Sequence, residues 1–537
     1  MKKIPAAWQP ENDARVGRLL ERQEMREDHP HFGGLPNSHA IYTPMGTATL
    51  LQHYAAAYVS SDSRYYENEA IAVAMERAAH CLLRMQHDDG TVDLYSTNFH
   101  STPDLAFATE PLCLAHGLLQ EKELPAVQEP LHTFLLRAGE ALRVGGIHTP
   151  NHRWVVCMAL ARLHRLFPNE TYLKRIDEWL REKIDIDPDG QYTEKSTHVY
   201  SPLTNRCLIT IARLLDRPAL YEPVRRNLDM TLYYLHPNGE LVTEASGRQD
   251  QYRIGYPTPY YYPYRFMAQR DAHPQYAAMV RLIESKASEN QLSQNLAYFL
   301  EDPSLSEPLP APAPLPDDFR RHFPYSQLLR IRRQTYDATV LADNPSFFTF
   351  SHGAAVLQAV RLASAFFGKG QFKAGSLQMM DGAAVLRQEL EGPYYQLFPF
   401  EELPDDGDWE KMPREKRPTS EVQILRSVVE VRETAGGFTL DFAISGTDEV
   451  PLAIELGFRP GGQLSGVEEV PGIPMAYYLK AGEGRYRFED HVIEFGPGLH
   501  AHGWTQIRGA KDKMEAMSVY LTGFTPFQFR LAIKRGG

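Results

Sequence analysis

Between Pro44 and about Asp302, apolar residues recur at three- and four-residue intervals. Ile71, Ala74, Met75, Ala78, Cys81 and Leu82 make one stripe, and Trp154, Cys157, Met158 and Ala161 make another. That spacing predicts amphipathic helices, each burying one face. Farther along the period shortens to two. Val428-Val429-Glu430-Val431-Arg432 and Phe438-Thr439-Leu440-Asp441-Phe442 alternate in character, and similar runs fill 326–350, 354–372 and 421–537. Alternation between Gly, Pro and acidic turns predicts strands with one buried face. The change of period falls at a proline-rich segment, PSLSEPLPAPAPLPD, which predicts a semi-rigid linker. The expected plan is multidomain α+β: an N-terminal arm with one short helix over 1–40, a helical domain over 41–302, a linker over 303–320 and an antiparallel β-sandwich over 321–537. The charged stretch 401–420 predicts a surface loop.

Within the helical region one kind of start repeats. Thr43-Pro44, Thr102-Pro103, Thr149-Pro150, Ser201-Pro202 and Thr258-Pro259 follow one another at steps of roughly 50 residues, about two helices and two loops. A hydroxyl residue suits the N-cap, and proline suits the next position, where its missing N–H would have had no partner. A loop pattern repeats between the helices: Asp89-Gly90 leading to Asp93, Asp189-Gly190 to Glu194, and Asn238-Gly239 to Glu244. Each copy is a turn, a short extended piece and a carboxylate before a long polar loop. Helical hairpins stacked in this way form a solenoid or a closed ring. The helix starts then open at one end, where the loops 94–102, 191–201 and 245–258 converge. These loops bring Asn98, His100, Tyr192, Glu194, His198, Tyr200, Arg248, Asp250, Tyr252, Arg253 and Tyr256, enough polar and aromatic groups to line a sugar-sized cleft. Asn151 and His152 sit just inside a helix start, where the helix dipole favours an anionic ligand. Tyr260, in the run from Tyr256 to Tyr264, offers a further ring for stacking on sugar.

Charge narrows the partners. The formal net charge is -12 and the pI is near 5.9, which excludes an overall electrostatic case for nucleic acid or an anionic membrane. One pocket can still be basic, through Arg153, Arg206, Arg248, Arg253 and the histidines. Cys81, Cys113, Cys157 and Cys207 lie in apolar stretches without metal-type spacing, and buried reduced thiols are expected. The opening MKKIPAAWQPENDAR has no apolar segment after its lysines, and no apolar run of about 18 residues follows anywhere. A cytoplasmic protein is expected, or a trimmed secreted or periplasmic form. His500-Ala501-His502 offers two possible metal ligands, too few for a site.

A helical toroid, a short linker and a C-terminal antiparallel β-domain together resemble the heparinase II/III-like and alginate-lyase-type polysaccharide lyases. The resemblance implies an (α/α) toroid and an enzyme that cleaves uronic-acid-containing glycans by β-elimination, with no cofactor and no metal. It implies that Asn151-His152 neutralises the uronate carboxylate. The segment from Asp189-Gly190-Gln191-Tyr192-Thr193-Glu194 to Tyr200 is similar to the family's segment that carries the catalytic Tyr, with Tyr192 and Tyr200 as alternatives. Ser351-His352-Gly353 stands where a β-domain His is expected to reach the cleft. The chemistry suits these residue types. Elimination needs the carboxylate charge offset, a base near the C5 proton and an acid for the leaving O4.

Two other readings compete. A glucuronidase-like glycoside hydrolase on the same toroid would draw an acid–base pair from Asp104, Glu194, Glu244 and Asp250. A non-catalytic carbohydrate-binding protein would need only the aromatic loops.

Overall fold

The computed structural model describes residues 4–537. It divides into two compact units: 4–232 with 246–315, and 233–245 with 316–537.

The first unit is helical. Its helices are α1 (Ile4–Arg22), α2 (Pro44–Val59), α3 (Glu69–Met85), α4 (Thr102–Leu119), α5 (Pro125–Val144), α6 (Pro150–Leu166), α7 (Glu170–Arg181), α8 (Tyr200–Leu214), α9 (Tyr221–Thr231), α10 (Tyr261–Arg270), α11 (Pro274–Lys286), α12 (Glu289–Leu292) and α13 (Leu296–Glu301). Helices α2, α4, α6, α8 and α10 pack each on the next, while α3, α5 and α7 neighbour one another, and α13 returns to α2 and α4. Composition separates the two layers. In α6 every residue from Arg153 to Leu163 is buried, whereas α7 buries only Tyr172 and Ile176. A helix apolar all round belongs inside and an amphipathic one outside. This alternation is the expected (α/α) toroid. None of the described helices is long and apolar enough to cross a membrane.

The repeated turns have a common geometry. His87, Asp187 and His236 each donate a backbone N–H across the turn, to Thr91 O, Gln191 O and Glu240 O at 2.9–3.0 Å. Gly90 and Gly190 have positive φ, and a Cβ on either would lie 2.4 or 2.3 Å from a carbonyl oxygen of an outer helix, at Arg137 or Arg226. Glycine is required at both positions.

Several expectations need correcting. Of the expected arm over 1–40, the described residues 4–40 are packed into the helical unit, and residues 1–3 lie outside the described residues. Trp8 of α1 packs edge-on against Phe299 and Tyr261 at 4.8 and 5.8 Å, and the same turn recurs where Asn37 N bonds Ile41 O at 2.9 Å with Ala40 at positive φ. The linker is bound along the first unit, where Arg265 Nε donates to Leu305 O (2.5 Å) and Ala313 N to Pro274 O (3.1 Å). The turn segment 233–245 belongs to the β unit. The hydroxyl–proline starts are also less uniform than their spacing. Thr43 caps α2 through Gly46 N, but Ser101 rather than Thr102 caps α4, and Ser201 lies inside α8. Thr258 opens a 3-10 turn ahead of α10.

The second unit is a two-sheet sandwich. One sheet runs in the order 463–465, 484–488, 491–496, 527–535, 437–446, 419–434, 383–395, 377–380. The other centres on 517–524, 451–458, 355–364, 348–352, 336–341 and 328–333. Strand pairing is antiparallel except where Ala476–Tyr478 runs parallel to 518–520, and an isolated parallel bridge joins His500 to Thr522. Leu357, Ile454, Phe350 and Leu521 of one sheet share a core with Val429, Leu440, Phe442 and Ile533 of the other. Each inner-face position alternates with an outer one, as the two-residue period predicts.

Candidate active site

The site is built at the N-terminus of α6, within the helical unit. Asn151 is 3% exposed, and its amide nitrogen donates to both carboxylate oxygens of Glu194 at 2.8 and 2.9 Å and to Thr149 Oγ1 at 3.0 Å. Its Oδ1 is buried without a partner among the described residues. Glu194 is delivered by the turn before α8. There Asp187 Oδ1 accepts from the backbone N–H groups of Gly190 and Gln191, and Lys195 N closes onto Tyr192 O. Burial raises the Glu194 carboxyl above its ordinary range, against the opposing pull of Asn151 and Arg248. His152 accepts the backbone N–H of His148 on Nδ1 at 3.3 Å and packs edge-on against Phe107. Burial lowers its pKa, with Asp104 opposing and His148 and Arg248 adding. A neutral ring bonded in this way carries its proton on Nε2.

Tyr200 is the first residue of α8, and its N–H donates to Ser196 Oγ. Its phenol oxygen accepts from Gln249 Nε2 at 2.8 Å, and the Arg248 guanidinium lies 5.2 Å from its ring centre. Two ties hold the loops in place. Asp250, 1% exposed, accepts from Ser246 Oγ (2.5 Å) and from His198 N (2.8 Å), and Tyr260 Oη donates to Thr197 O (2.8 Å). Asn151, His152, Glu194, Tyr200, Arg248 and Gln249 therefore come together, with Arg248 near enough to act on both His152 and Glu194.

Other candidates are engaged elsewhere. Tyr192 is 3% exposed and donates to Asn205 Oδ1 at 2.8 Å, so it is a core residue beneath the turn. Burial pushes its pKa well up. Tyr260, 1% exposed, is a tie rather than a stacking platform, and Asp250 is a staple. Arg206 pairs with Glu110 at 2.9 Å, and Arg153 pairs with Asp185 at 2.8 Å and stacks on Trp154. Asn98 donates to Asp104, while His100 turns back to Asp89 and stacks on His87. His198 is half-buried against Gly255, and Lys286 lies over Tyr256. Tyr252 has a φ of 61°, and Arg253 N bonds Asp250 O at the exposed tip of the loop. His352 lies in the β unit, where Nδ1 bonds Val492 O at 2.8 Å and the ring packs edge-on against His491. His502 Nε2 faces two backbone carbonyls and His500 packs on Tyr478, so they form no metal pair. Among the described residues no group of three or more His, Cys, Asp or Glu could hold a metal ion, and all four cysteines are free and buried. Gln249 escaped the sequence reading because an amide between Arg248 and Asp250 carries no chemical signal of its own.

No protein-family model matches the chain, and no curated protein matches it in sequence. Solved structures do. A chondroitin AC lyase of Streptomyces coelicolor A3, solved with chondroitin sulphate, superposes with a TM-score of 0.60 at 14% identity, over 99% of this chain and 79% of that one. A Paenibacillus xanthan lyase gives 0.58 at 9% identity, over 99% and 57% of the two chains. Heparinase III gives 0.55 at 11% identity, over 91% and 77%. The chain has the fold of these lyases. At such identities the lyase fold is what the proteins share, and the chemistry must be argued from the side chains.

Proposed function

We propose that the protein is a polysaccharide lyase that cleaves uronic-acid-containing glycans by β-elimination. The observation that carries this reading is the fate of the carboxylates. A hydrolase needs two in the cleft, and of the four candidates three are spent on structure. Asp104 accepts from Asn98 and Ser101, Asp250 staples two loops, and Glu244 is buried in the β unit against Thr339 and Thr349. Glu194 stands by itself, beside an amide, a histidine, an arginine and a tyrosine, and that set suits elimination.

In this scheme the uronate carboxylate faces Arg248, the Nε2 proton of His152 and Glu194. Burial lets Glu194 take up a proton, and as a neutral acid it can donate to the substrate carboxylate instead of repelling it. Asn151, whose amide hydrogens engage Glu194 and Thr149, orients that acid. Together they offset the negative charge that grows on the carboxylate as C5 loses its proton. With its own proton first lost to solvent, the Tyr200 phenolate, which accepts from Gln249 and has Arg248 over its ring, takes the C5 proton and returns it to O4. The C4–O4 bond breaks and a C4–C5 double bond forms. The glycans named for the structural relatives (chondroitin sulphate and xanthan, with heparin in the enzyme's name) share anionic sugars, and that class is the proposed substrate.

The test is a panel of uronate glycans followed by ultraviolet absorbance and by reducing-end assay. Elimination gives new chain ends with an absorbing double bond. Reducing ends without that absorbance would replace this reading with hydrolysis, and neither signal would leave a binding protein.

A further inference from the structure

The turn that delivers Glu194 has a copy ahead of α2, and that copy builds a pocket. Asn37 N bonds Ile41 O and Pro36 bridges Tyr42, as Asp187 N bonds Gln191 O and Ile186 bridges Tyr192. The equivalent tyrosines differ in exposure. Tyr192 is buried beneath its turn, whereas Tyr42 is half-buried and donates to Glu24 Oε2 at 2.6 Å. The Tyr42 ring lies 4.9 Å from that of His31, nearly parallel, and 5.0 Å from that of His29. These three rings, with Ile41 and with Tyr95 of the hairpin 92–101, line a cavity of about 390 Å³. That volume is usual for a small-molecule site.

The lining selects its ligand. No carboxylate, lysine or arginine lines the cavity, and Glu24 beside it is offset by Arg26, which donates to both carboxylate oxygens. His29 Nδ1 accepts the His31 N–H at 3.1 Å, which leaves Nε2 to donate. Burial, with His29 and Arg84 adding, lowers His31 below its ordinary range, so its ring is neutral near pH 7 and can both donate and accept. Tyr95 and Ile41, each 39% exposed, add apolar surface. Polar ring edges around apolar faces match the hydroxyl rim and C–H face of a sugar ring, and offer nothing to a carboxylate.

The pocket lies on the rim that carries the candidate site. Helices α2, α4 and α6 pack side by side, and their starts are linked in turn. Leu94, next to Tyr95, pairs with Asn98; Asn98 donates to Asp104 at the start of α4; and Thr102 Oγ1 donates to Gly146 O ahead of α6. Phe107 of α4 then meets His152. Two helix spacings of about 8–10 Å each separate α2 from α6, a distance that several sugars of one chain would span. Phe99 of the same hairpin, 64% exposed, offers a further ring. We propose that the pocket ahead of α2 is a distal subsite for a sugar ring of the glycan chain being cleaved, and that it makes the enzyme favour long substrates. The identity of that chain rests on the lyase reading above.

Tetra- and decasaccharides of each glycan in the panel test this, with cleavage read by ultraviolet absorbance and binding by titration calorimetry. A tetrasaccharide cleaved at its middle bond falls short of the pocket, and a decasaccharide reaches it. The expected result is an affinity, and a kcat/KM per cleavable bond, about tenfold higher for the decasaccharide, the worth of one good ring contact. Ile41→Ser/Tyr95→Ala should abolish that preference and leave tetrasaccharide turnover unchanged. Both side chains are well exposed, so the variant should keep its circular dichroism spectrum and melting temperature. The preference should persist at about 0.5 M salt, where the Debye length is below ~8 Å, because no acidic side chain, lysine or arginine lines the pocket. Equal values at the two lengths, a preference that survives the double variant, or one that salt removes would each overturn the subsite and leave the lyase reading standing. Failure of every panel glycan to bind or be cleaved at either length would remove both.

Discussion

Two copies of one turn, built alike, end in opposite chemistry. In the helical unit, Asp187 to Gln191 close a turn and Ile186 bridges Tyr192; in the β unit, His236 to Glu240 close the same turn and Leu235 bridges Leu241. Each then delivers a glutamate. Glu194 follows its turn glycine by one residue fewer than Glu244 follows its own, and Lys195 N, closing onto Tyr192 O, holds Glu194 inside a second turn. Glu194 meets an amide beside a helix start, and burial raises its pKa. Glu244 meets Thr339, Thr349 and His236 on the outer face of a sheet. Burial would raise it too, but His236 and then Arg330 outweigh burial and hold it well below its ordinary range. Arg330, fully buried, also donates to Asp337 and to the Tyr233 and Leu235 carbonyls, which anchors the turn segment to the sheet. Burial alone does not decide a carboxylate's chemistry; the charges around it do.

The comparison can be broken first at the tyrosines of the helical copy. Tyr200→Phe should lower turnover by ~10²–10⁴-fold, the usual value of a proton-transfer group, with substrate affinity little changed. Steady-state kinetics together with equilibrium binding of a uronate oligosaccharide would check this. Full activity in that variant would remove Tyr200 from the mechanism.

The two glutamates should separate cleanly. Glu244→Gln leaves His236, Asp337 and Arg330 with an unbalanced buried charge, and should cost about 3–5 kcal/mol of unfolding free energy, read by denaturant titration. Glu194→Gln removes a carboxylate that burial already disfavours. It should leave stability within about 1 kcal/mol and reduce turnover less than Tyr200→Phe does. Equal stability losses would mean that the two sites are not distinct.

A pH titration sharpens the contrast. Burial pulls His236 down, but Asp337 and Glu244 outweigh it and raise it from 6.5 to about 9. A raised histidine contributes stability that is complete below its unfolded pKa and is lost as pH climbs through the folded one. The melting temperature should therefore fall between about pH 6.5 and 9. The loss should be on the order of 3 kcal/mol for a shift of this size, and His236→Gln should remove the slope. Glu244 acts in the opposite direction, because its lowered pKa makes its contribution complete above its unfolded value of 4.5 and lost in acid.

The smallest effect concerns the tyrosine that the turn buries. Tyr192→Phe leaves Asn205 Oδ1 without its donor and should cost about 1–3 kcal/mol. Activity per folded molecule should be nearly unchanged, checked by thermal melts beside kinetics. Inactivation without destabilisation would return Tyr192 to the catalytic set.

The sequence by itself determined what depends on near neighbours. The three- and four-residue period and the two-residue period marked the helical and sheet regions. Turn glycines such as Gly90 and Gly190, which no side chain could replace, marked the repeated hairpins, and the Thr149-Pro150 start placed Asn151 at a helix N-terminus. Residues 4–40 escaped because their copy of the turn, 37–41, has Ala40 where the other copies have glycine. The tertiary structure decided everything that depends on distant partners. Tyr192 and Tyr200 lie in one short segment, and Asn205 buries the first while Gln249 and Arg248 meet the second. Glu194 and Glu244 end similar turns, and Asn151 or His236 gives each its charge state. Exposure and proton affinity are set by whatever packs within a few ångströms, and those groups come from residues far along the chain.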